Sequence, residues 1–172
     1  TGMLDHEAWG RPRDKDRYPS PKGNGFYSQD LYYRILNTGV RLPPSAGSAS
    51  GVISNPVGYN RVYVHLGERF DSKAWWRGLK AGRSFVTNGP LLQCRANGEL
   101  PGHVFTAPAQ QTVTIQIEIV LQSNDPVPAI EVVQNGKVLA TQKWEPGLRR
   151  PCWSRSHSSR AAGSSCVPLP TS

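Results

Sequence analysis

The fold of this chain is decided by the stretch VTIQIEI at residues 113–119. Apolar and polar residues alternate strictly over these seven positions, which places four apolar side chains on one face and three polar side chains on the other. A period of two over this length predicts a half-buried β-strand rather than a helix.

The segment before this strand carries further strand and turn signals. Residues 91–95 have the composition of a strand, and Asn97-Gly98 is a pair typical of a tight hairpin turn. The apolar pair Val104-Phe105 follows, and we expect it to pair back onto the first strand.

A stronger hairpin signal follows the alternating stretch. Residues 130–133 and 137–140 are both rich in apolar residues, and they flank the pair Asn135-Gly136. We therefore interpret residues 90–146 as a small antiparallel β-domain that resembles part of a β-sandwich.

Residues 1–89 have a different pattern, in which helices and strands alternate. A helix is predicted over residues 28–37, and Leu31, Ile35 and Leu36 share one face of it, as in a stripe that packs on a core. Gly39 follows as the glycine that ends the helix.

Two short strands and a second helix complete this part. The strands are predicted over residues 40–42 and 61–66, and the helix over residues 72–80 with Asp71 or Ser72 as its cap. Helix and strand in alternation favour a βα-type architecture. The predicted fold class is thus α/β followed by all-β.

The final segment, residues 147–172, is basic and rich in Ser, Arg, Pro and Gly. Such a composition buries too little apolar surface to offset the entropy lost on ordering, so we predict a disordered basic tail. A frame-shifted translation is the alternative, and the abrupt end of the strand pattern favours it. We also expect the chain to begin within a longer protein, because its first seven residues lack the basic and apolar regions of a signal peptide.

The net charge of +8 does not by itself indicate a nucleic-acid partner. No acidic residue follows Glu145, and four arginines of the tail supply half of the excess. Near the N-terminus, over residues 11–17, basic residues alternate with Asp14 and Asp16, which favours a solvated surface over a phosphate-binding patch. No apolar run approaches the ~20 residues of a membrane helix, so no membrane span is predicted. The compartment is left open, with a secreted or periplasmic parent protein among the alternatives.

Two groups of residues could carry chemistry. His6, Glu7 and Arg11 lie in a polar segment where a histidine and a carboxylate could bind a divalent metal or transfer protons. The three adjacent residues Asp5, His6 and Glu7 cannot all face one ion, however, and solvated loop charges are the preferred interpretation.

The second group is the turn GSASG at residues 47–51 and the strand entry that follows it. Ser48 and Ser50 could bind an oxyanion with the backbone N–H groups of the turn, although a plain tight turn is the preferred interpretation. Asn60 and Arg61 could orient an anionic ligand or could cap a loop, and the sequence does not decide between the two.

Several segments together resemble the C-terminal part of carbaryl-hydrolase-like (CehA/McbA-type) proteins of the polymerase-and-histidinol-phosphatase, or PHP, superfamily. The most specific is GRSFVTNGP at residues 82–90; the others are GMLD at 2–5, EAWGRPRD at 7–14, and the segments 44–51 and 55–64. The resemblance implies the end of a distorted (β/α)7 barrel over residues 1–89. It also implies hydrolysis of phosphoesters or other esters by water activated on zinc, manganese or iron.

The chain departs from this family at the implied metal ligands. The family motif Gly-Ser-Asp-x-His corresponds to residues 47–51, where Ala49 replaces the aspartate and Gly51 replaces the histidine. Neither side chain can bind a metal, and the resemblance leaves only His6 as a candidate ligand. We expect zinc or manganese in the parent protein and no metal in this chain.

The sequence therefore predicts the C-terminal piece of a metal-dependent hydrolase, inactive by itself, whose parent takes a small-molecule or ester substrate. The alternative is a non-catalytic module that binds a carbohydrate or a protein on a hydrolase scaffold. Its motivation is the loss of ligands at Ala49 and Gly51, together with aromatic residues suited to stacking, namely Tyr59, Trp75 and Trp76.

Overall fold

The computed structural model describes residues 13–51, 55–109, 111, 113–144, 150–156 and 165–168. Within these residues the chain is mixed α/β, with two helices and eight strands in three small antiparallel sheets. No closed barrel is present in the part of the chain that the structure describes. No helix in those ranges is long and apolar enough to cross a bilayer.

Two three-stranded sheets form the second half of the chain. One has the strand order β3-β4-β7 and the other β6-β5-β8, with every neighbouring pair antiparallel. The strands are β3 (Leu91–Ala96), β4 (Val113–Gln122), β5 (Ala129–Gln134), β6 (Lys137–Lys143), β7 (Arg150–Ser156) and β8 (Ser165–Pro168).

Apolar residues of both sheets meet in one core cluster. Ile117 and Ile119 of β4 are each 4% exposed, which confirms the inward face that the alternation predicts. Val132 of β5 is 1% exposed and belongs to the same cluster. The cluster is completed by Leu92, Leu121, Val127 and Ile130, with Cys94, Ile115, Ala140 and Trp144 packed at its margin.

Both predicted Asn-Gly turns are present, and each requires the left-handed backbone for which these residues are suited. Asn97 has φ 49° and Gly98 φ 80°, and Asn135 and Gly136 have φ 54° and 78°. The side chain of Asn97 also accepts a hydrogen bond from the backbone N–H of Gln116 at 2.7 Å. The first turn is therefore tied to β4.

The prediction that Val104-Phe105 pairs back onto β3 is wrong. Neither residue lies in a strand, and the partner of β3 is β4. The reason is one of length: β4 offers ten residues of alternating pattern, whereas the apolar pair is too short to compete for the same edge.

Two of the strands fall in the segment for which the sequence predicts disorder. β7 pairs with β4, and β8 pairs with β5. A strand that pairs on one side only leaves a second row of backbone donors and acceptors open, and another stretch of chain can satisfy that row whatever its composition.

The first half of the chain contains a second helix that packs on a small hairpin. β1 (Arg61–Val64) pairs antiparallel with β2 (Ser84–Thr87), and α2 (Ser72–Lys80) connects them. The Asp71 carboxylate caps this helix by accepting hydrogen bonds from the N–H groups of Lys73 and Ala74 at 3.2 and 2.9 Å, as predicted.

Helix α1 (Gly23–Asn37) begins five residues before the predicted start, and its buried residues are not the predicted ones. The stripe residues Leu31 and Ile35 remain 39% and 37% exposed. Burial is instead confined to the first turn, where Arg13 donates a hydrogen bond to the Asn24 side chain at 2.8 Å. Periodicity identifies an apolar face but not the element that covers it.

The predicted strand at residues 40–42 is also wrong. Val40 and Leu42 are each 50% exposed and lie outside any strand. The Leu42 carbonyl accepts a hydrogen bond from the Tyr32 hydroxyl at 2.6 Å, so a side chain rather than a neighbouring strand satisfies this backbone group.

Truncation of Val132 should destabilise the chain far more than truncation of Val138. Val132 is 1% exposed in the core cluster, so we expect Val132→Ala to lower the free energy of unfolding by about 2 kcal/mol. Val138 is 52% exposed on β6, and Val138→Ala should cost less than about 1 kcal/mol, which reflects strand propensity alone. Urea denaturation measures both, and equal losses would contradict the assignment of the core.

Gly78 of α2 should resist replacement by alanine, although alanine is the better helix former by about 1 kcal/mol. A Cβ at Gly78 would lie 2.5 Å from Cγ1 of Val64. We expect Gly78→Ala to lower the free energy of unfolding by about 1–3 kcal/mol, because α2 must move away from β1. Gly47→Ala is the matched control, since a Cβ there meets nothing within 4 Å. A stabilised Gly78→Ala variant would contradict this packing.

Candidate functional site

The small-residue turn at 47–51 lies against the residue that precedes β1. The Ser48 hydroxyl accepts a hydrogen bond from the Asn60 backbone N–H at 2.9 Å and donates to the Asn60 carbonyl oxygen at 3.3 Å. The Asn60 side chain donates to the Gly47 carbonyl oxygen at 3.4 Å. Because Ser48 is buried and its only proton is donated to a backbone carbonyl, its role here is to position the chain.

Of the residues predicted for this site, the structure brings Ser48 and Asn60 into contact, and Arg61 follows Asn60 as the first residue of β1. Ser50 is exposed, and its side chain makes no hydrogen bond within the described residues. Ala49 and Gly51 adopt positive φ values of 51° and 86°, so this part of the turn has the left-handed backbone.

Arg61 is half-buried at the start of β1, and its Nε atom has no hydrogen-bond partner within the described part of the chain. It pairs with Thr87 across the hairpin, so these two side chains share a face with Tyr63 and Phe85. The two aromatic rings stack with centroids 5.2 Å apart and an interplanar angle of 10°. The face thus combines a guanidinium with a pair of aromatic rings.

Thr87 fixes the end of the GRSFVTNGP segment. Its hydroxyl donates to the Pro90 carbonyl oxygen at 2.5 Å and accepts a hydrogen bond from the Gly89 N–H at 3.0 Å. This arrangement is a side-chain-closed turn of the kind that Ser and Thr make, and it positions the passage from β2 to β3.

The other predicted site residues, His6, Glu7 and Arg11, lie outside the described residues. Within those residues there is no group of three or more His, Cys, Asp or Glu side chains that could hold a metal ion. At the turn itself, Ala49 and Gly51 supply no donor atom.

The titratable cluster in the first half has a structural role. The Tyr18 hydroxyl donates a short hydrogen bond to the Asp30 carboxylate, which lowers the pKa of Asp30 and raises the pKa of Tyr18. Arg34 and Arg17 also contact this carboxylate, at 2.9 and 3.3 Å. The cluster ties the segment before α1 to the helix.

Sequence reasoning misses an open pocket between α2 and the end of β1. Its lining includes the imidazole-bearing His65 and two arginines, Arg77 and Arg83, which come from three separate positions around the hairpin. Arg83 belongs to the GRSFVTNGP segment, whose sequence carries a family resemblance but no chemical signal. Only the folded arrangement brings the three side chains to one place.

The fold and these contacts define a mixed α/β protein with small antiparallel sheets and an arginine-bearing hairpin. No protein-family model, curated protein or solved structure matches the chain. The resemblance to CehA/McbA-type proteins therefore stays a prediction.

The two serines of the turn should differ sharply in their effect on stability. Ser48→Ala removes both contacts to the Asn60 backbone and leaves a half-buried N–H without its acceptor. We expect it to lower the free energy of unfolding by about 1–3 kcal/mol. Ser50→Ala should change it by less than about 0.5 kcal/mol, because this side chain is exposed. Chemical denaturation of both variants measures the difference, and equal effects would contradict the described turn.

Proposed function

We propose that this chain is the C-terminal part of a PHP-superfamily metal-dependent hydrolase of the CehA/McbA type, and that it is inactive by itself. In this proposal residues 1–89 are the end of the barrel and residues 90–146 a β-sandwich-like domain. The packing of α2 on β1 and the apolar cluster shared by two sheets are compatible with these two parts.

The observation that carries the proposal is the backbone conformation of Ala49. Its φ of 51° is uncommon for any residue other than glycine, and Asp and Asn adopt it several-fold more often than alanine does. The resembled motif has an aspartate at this position. The turn thus keeps a backbone suited to the aspartate while the side chain that would bind the metal is absent.

The residues present do not fit the metal that the family implies. Ala49 and Gly51 offer no ligand atom, and the described residues contain no group of three metal-binding side chains. Any metal of the parent protein would be held elsewhere, and we derive no step of hydrolysis through it. What this chain would contribute is a wall of the substrate pocket, with Arg61 able to receive an anionic group of the ester.

A hydrolysis assay tests this proposal. We expect this chain to show no turnover of p-nitrophenyl phosphate or p-nitrophenyl acetate with added zinc or manganese, because Ala49 and Gly51 supply no ligand and the described residues contain no group of three metal-binding side chains. A longer parent protein that includes the preceding barrel segments should show turnover that depends on added metal.

The role of Arg61 can be measured in the same parent protein. Arg61→Gln should lower kcat/KM about tenfold or more, as expected for loss of a charge-assisted hydrogen bond to the substrate. Lys143→Gln, which removes one exposed positive charge from β6, is the control and should leave kcat/KM unchanged. Absence of metal-stimulated hydrolysis in the parent would overturn the proposal.

A second candidate is a non-catalytic module that binds a carbohydrate or a protein. The observation in its favour is Trp76, which is 66% exposed and packs edge-on against Trp75 with ring centroids 4.8 Å apart. Exposed tryptophan rings are common contacts for both kinds of partner. A glycan array and a pull-down with the chain as bait test this candidate, and Trp76→Ala should abolish any specific capture. No specific capture in either experiment would count against it.

A further inference from the structure

The pocket between α2 and the end of β1 is distinct in position from the Ser48–Asn60 contact. It has a volume of about 320 Å³ and lies after β1, whereas Ser48 and Asn60 lie before this strand. The lining residues are His65, Leu66, Gly67, Ala74, Arg77 and Arg83. An inference about this pocket therefore does not depend on the proposed hydrolase function.

Backbone contacts fix the walls of the pocket relative to one another. The His65 N–H donates to the Arg83 carbonyl oxygen at 2.9 Å, and the Arg83 N–H donates to the Gly78 carbonyl oxygen at 3.0 Å. Arg83 is thus held between the end of β1 and the last turn of α2. An ideal Cβ at Gly78 would lie 4.0 Å from an Nη atom of Arg83, which places the guanidinium beside this turn of α2.

The guanidinium of Arg83 is unusual because it is partly buried without a hydrogen-bond or ion-pair partner within the described residues. Arginine side chains that leave bulk solvent are ordinarily paired with an anion. Five N–H donors in a fixed fork are therefore open to an acceptor from outside the chain.

Arg77 adds a second guanidinium, and its ion pair with Asp71 occupies only some of its N–H donors. One Nη atom of Arg77 lies 3.5 Å from the Asp71 carboxylate, which also accepts two backbone hydrogen bonds at the cap of α2. Four of the five N–H donors of an arginine remain after a single contact of this kind. The imidazole of His65 supplies a further polar group on the same wall.

We propose that this pocket binds a phosphate group through Arg77 and Arg83. Arg77 and Arg83 both line this pocket, and arginine guanidiniums bind phosphate oxygens through pairs of parallel hydrogen bonds. A volume of about 320 Å³ is large enough for an organic group as well as a phosphate, and Leu66 and Ala74 give it an apolar wall. Free phosphate and a phosphomonoester share the chemistry that the pocket recognises.

A titration of the full chain followed by amide NMR tests the proposal. Inorganic phosphate and phenyl phosphate are added separately in a non-phosphate buffer at constant ionic strength, because a chain of net charge +8 attracts anions unspecifically. We expect saturable shifts centred on the Gly67 and Arg83 amides, with a Kd of about 1 mM or below. Tighter binding of phenyl phosphate would identify a phosphomonoester as the ligand, and equal affinities would identify free phosphate.

Variants separate this site from general electrostatics. Arg83→Gln should weaken binding about tenfold or more, and Arg83→Lys should weaken it less, because the charge remains but the forked geometry is lost. Lys143→Gln removes the same charge from exposed β6 and should leave the Kd unchanged. We expect the Arg83 variants to fold, because the hydrogen bonds that hold Arg83 come from its backbone and not from its side chain. Unfolding curves check this.

Two outcomes would overturn the proposal. One is the absence of saturable shifts with both phosphate probes. The other is an equal loss of affinity in Arg83→Gln and Lys143→Gln, which would assign the binding to net charge rather than to the pocket.

Discussion

The burial of one face of β4 against β5 is the constraint on which the second half of the molecule depends. Ile117 and Ile119 project from β4 into a cluster that also contains Val132 of β5, and all three are at most 4% exposed. A shift of β4 by one residue would turn this entire face to solvent, so the burial also fixes the register in which β3 and β7 pair with it. The two sheets are thus specified by one interface.

The parts of this fold that follow from sequence are those in which a local pattern has only one physical solution. Strict alternation at 113–119 can bury its apolar side chains only as a strand, and an Asn-Gly pair such as Asn135-Gly136 accepts the left-handed backbone of a tight turn at small cost. The Asp71 cap of α2 is of the same kind, because its carboxylate reaches N–H groups only two and three residues away.

The parts that do not follow are those that depend on a partner distant in sequence. The stripe of Leu31 and Ile35 is a correct amphipathic pattern on a helix that buries a different turn, because the pattern contains no information on the covering element. The sequence likewise contains no signal for the antiparallel pairing of β1 with β2, which are connected through a helix. At the candidate site, Ser48 and Asn60 are recognisable one by one, but the contact between them joins residues twelve positions apart in the sequence.

Both candidate sites depend on the hairpin of β1 and β2, which is marginal in isolation. A two-stranded sheet of four-residue strands has little stability of its own, so its position must come from what packs at its two ends. Before β1 the turn contributes Ser48, and after β1 the helix contributes the close approach of Gly78 to Val64. A ligand that holds Arg83 against α2 would reinforce the second of these contacts. Binding of a phosphate group at the pocket would therefore stabilise the hairpin by thermodynamic linkage.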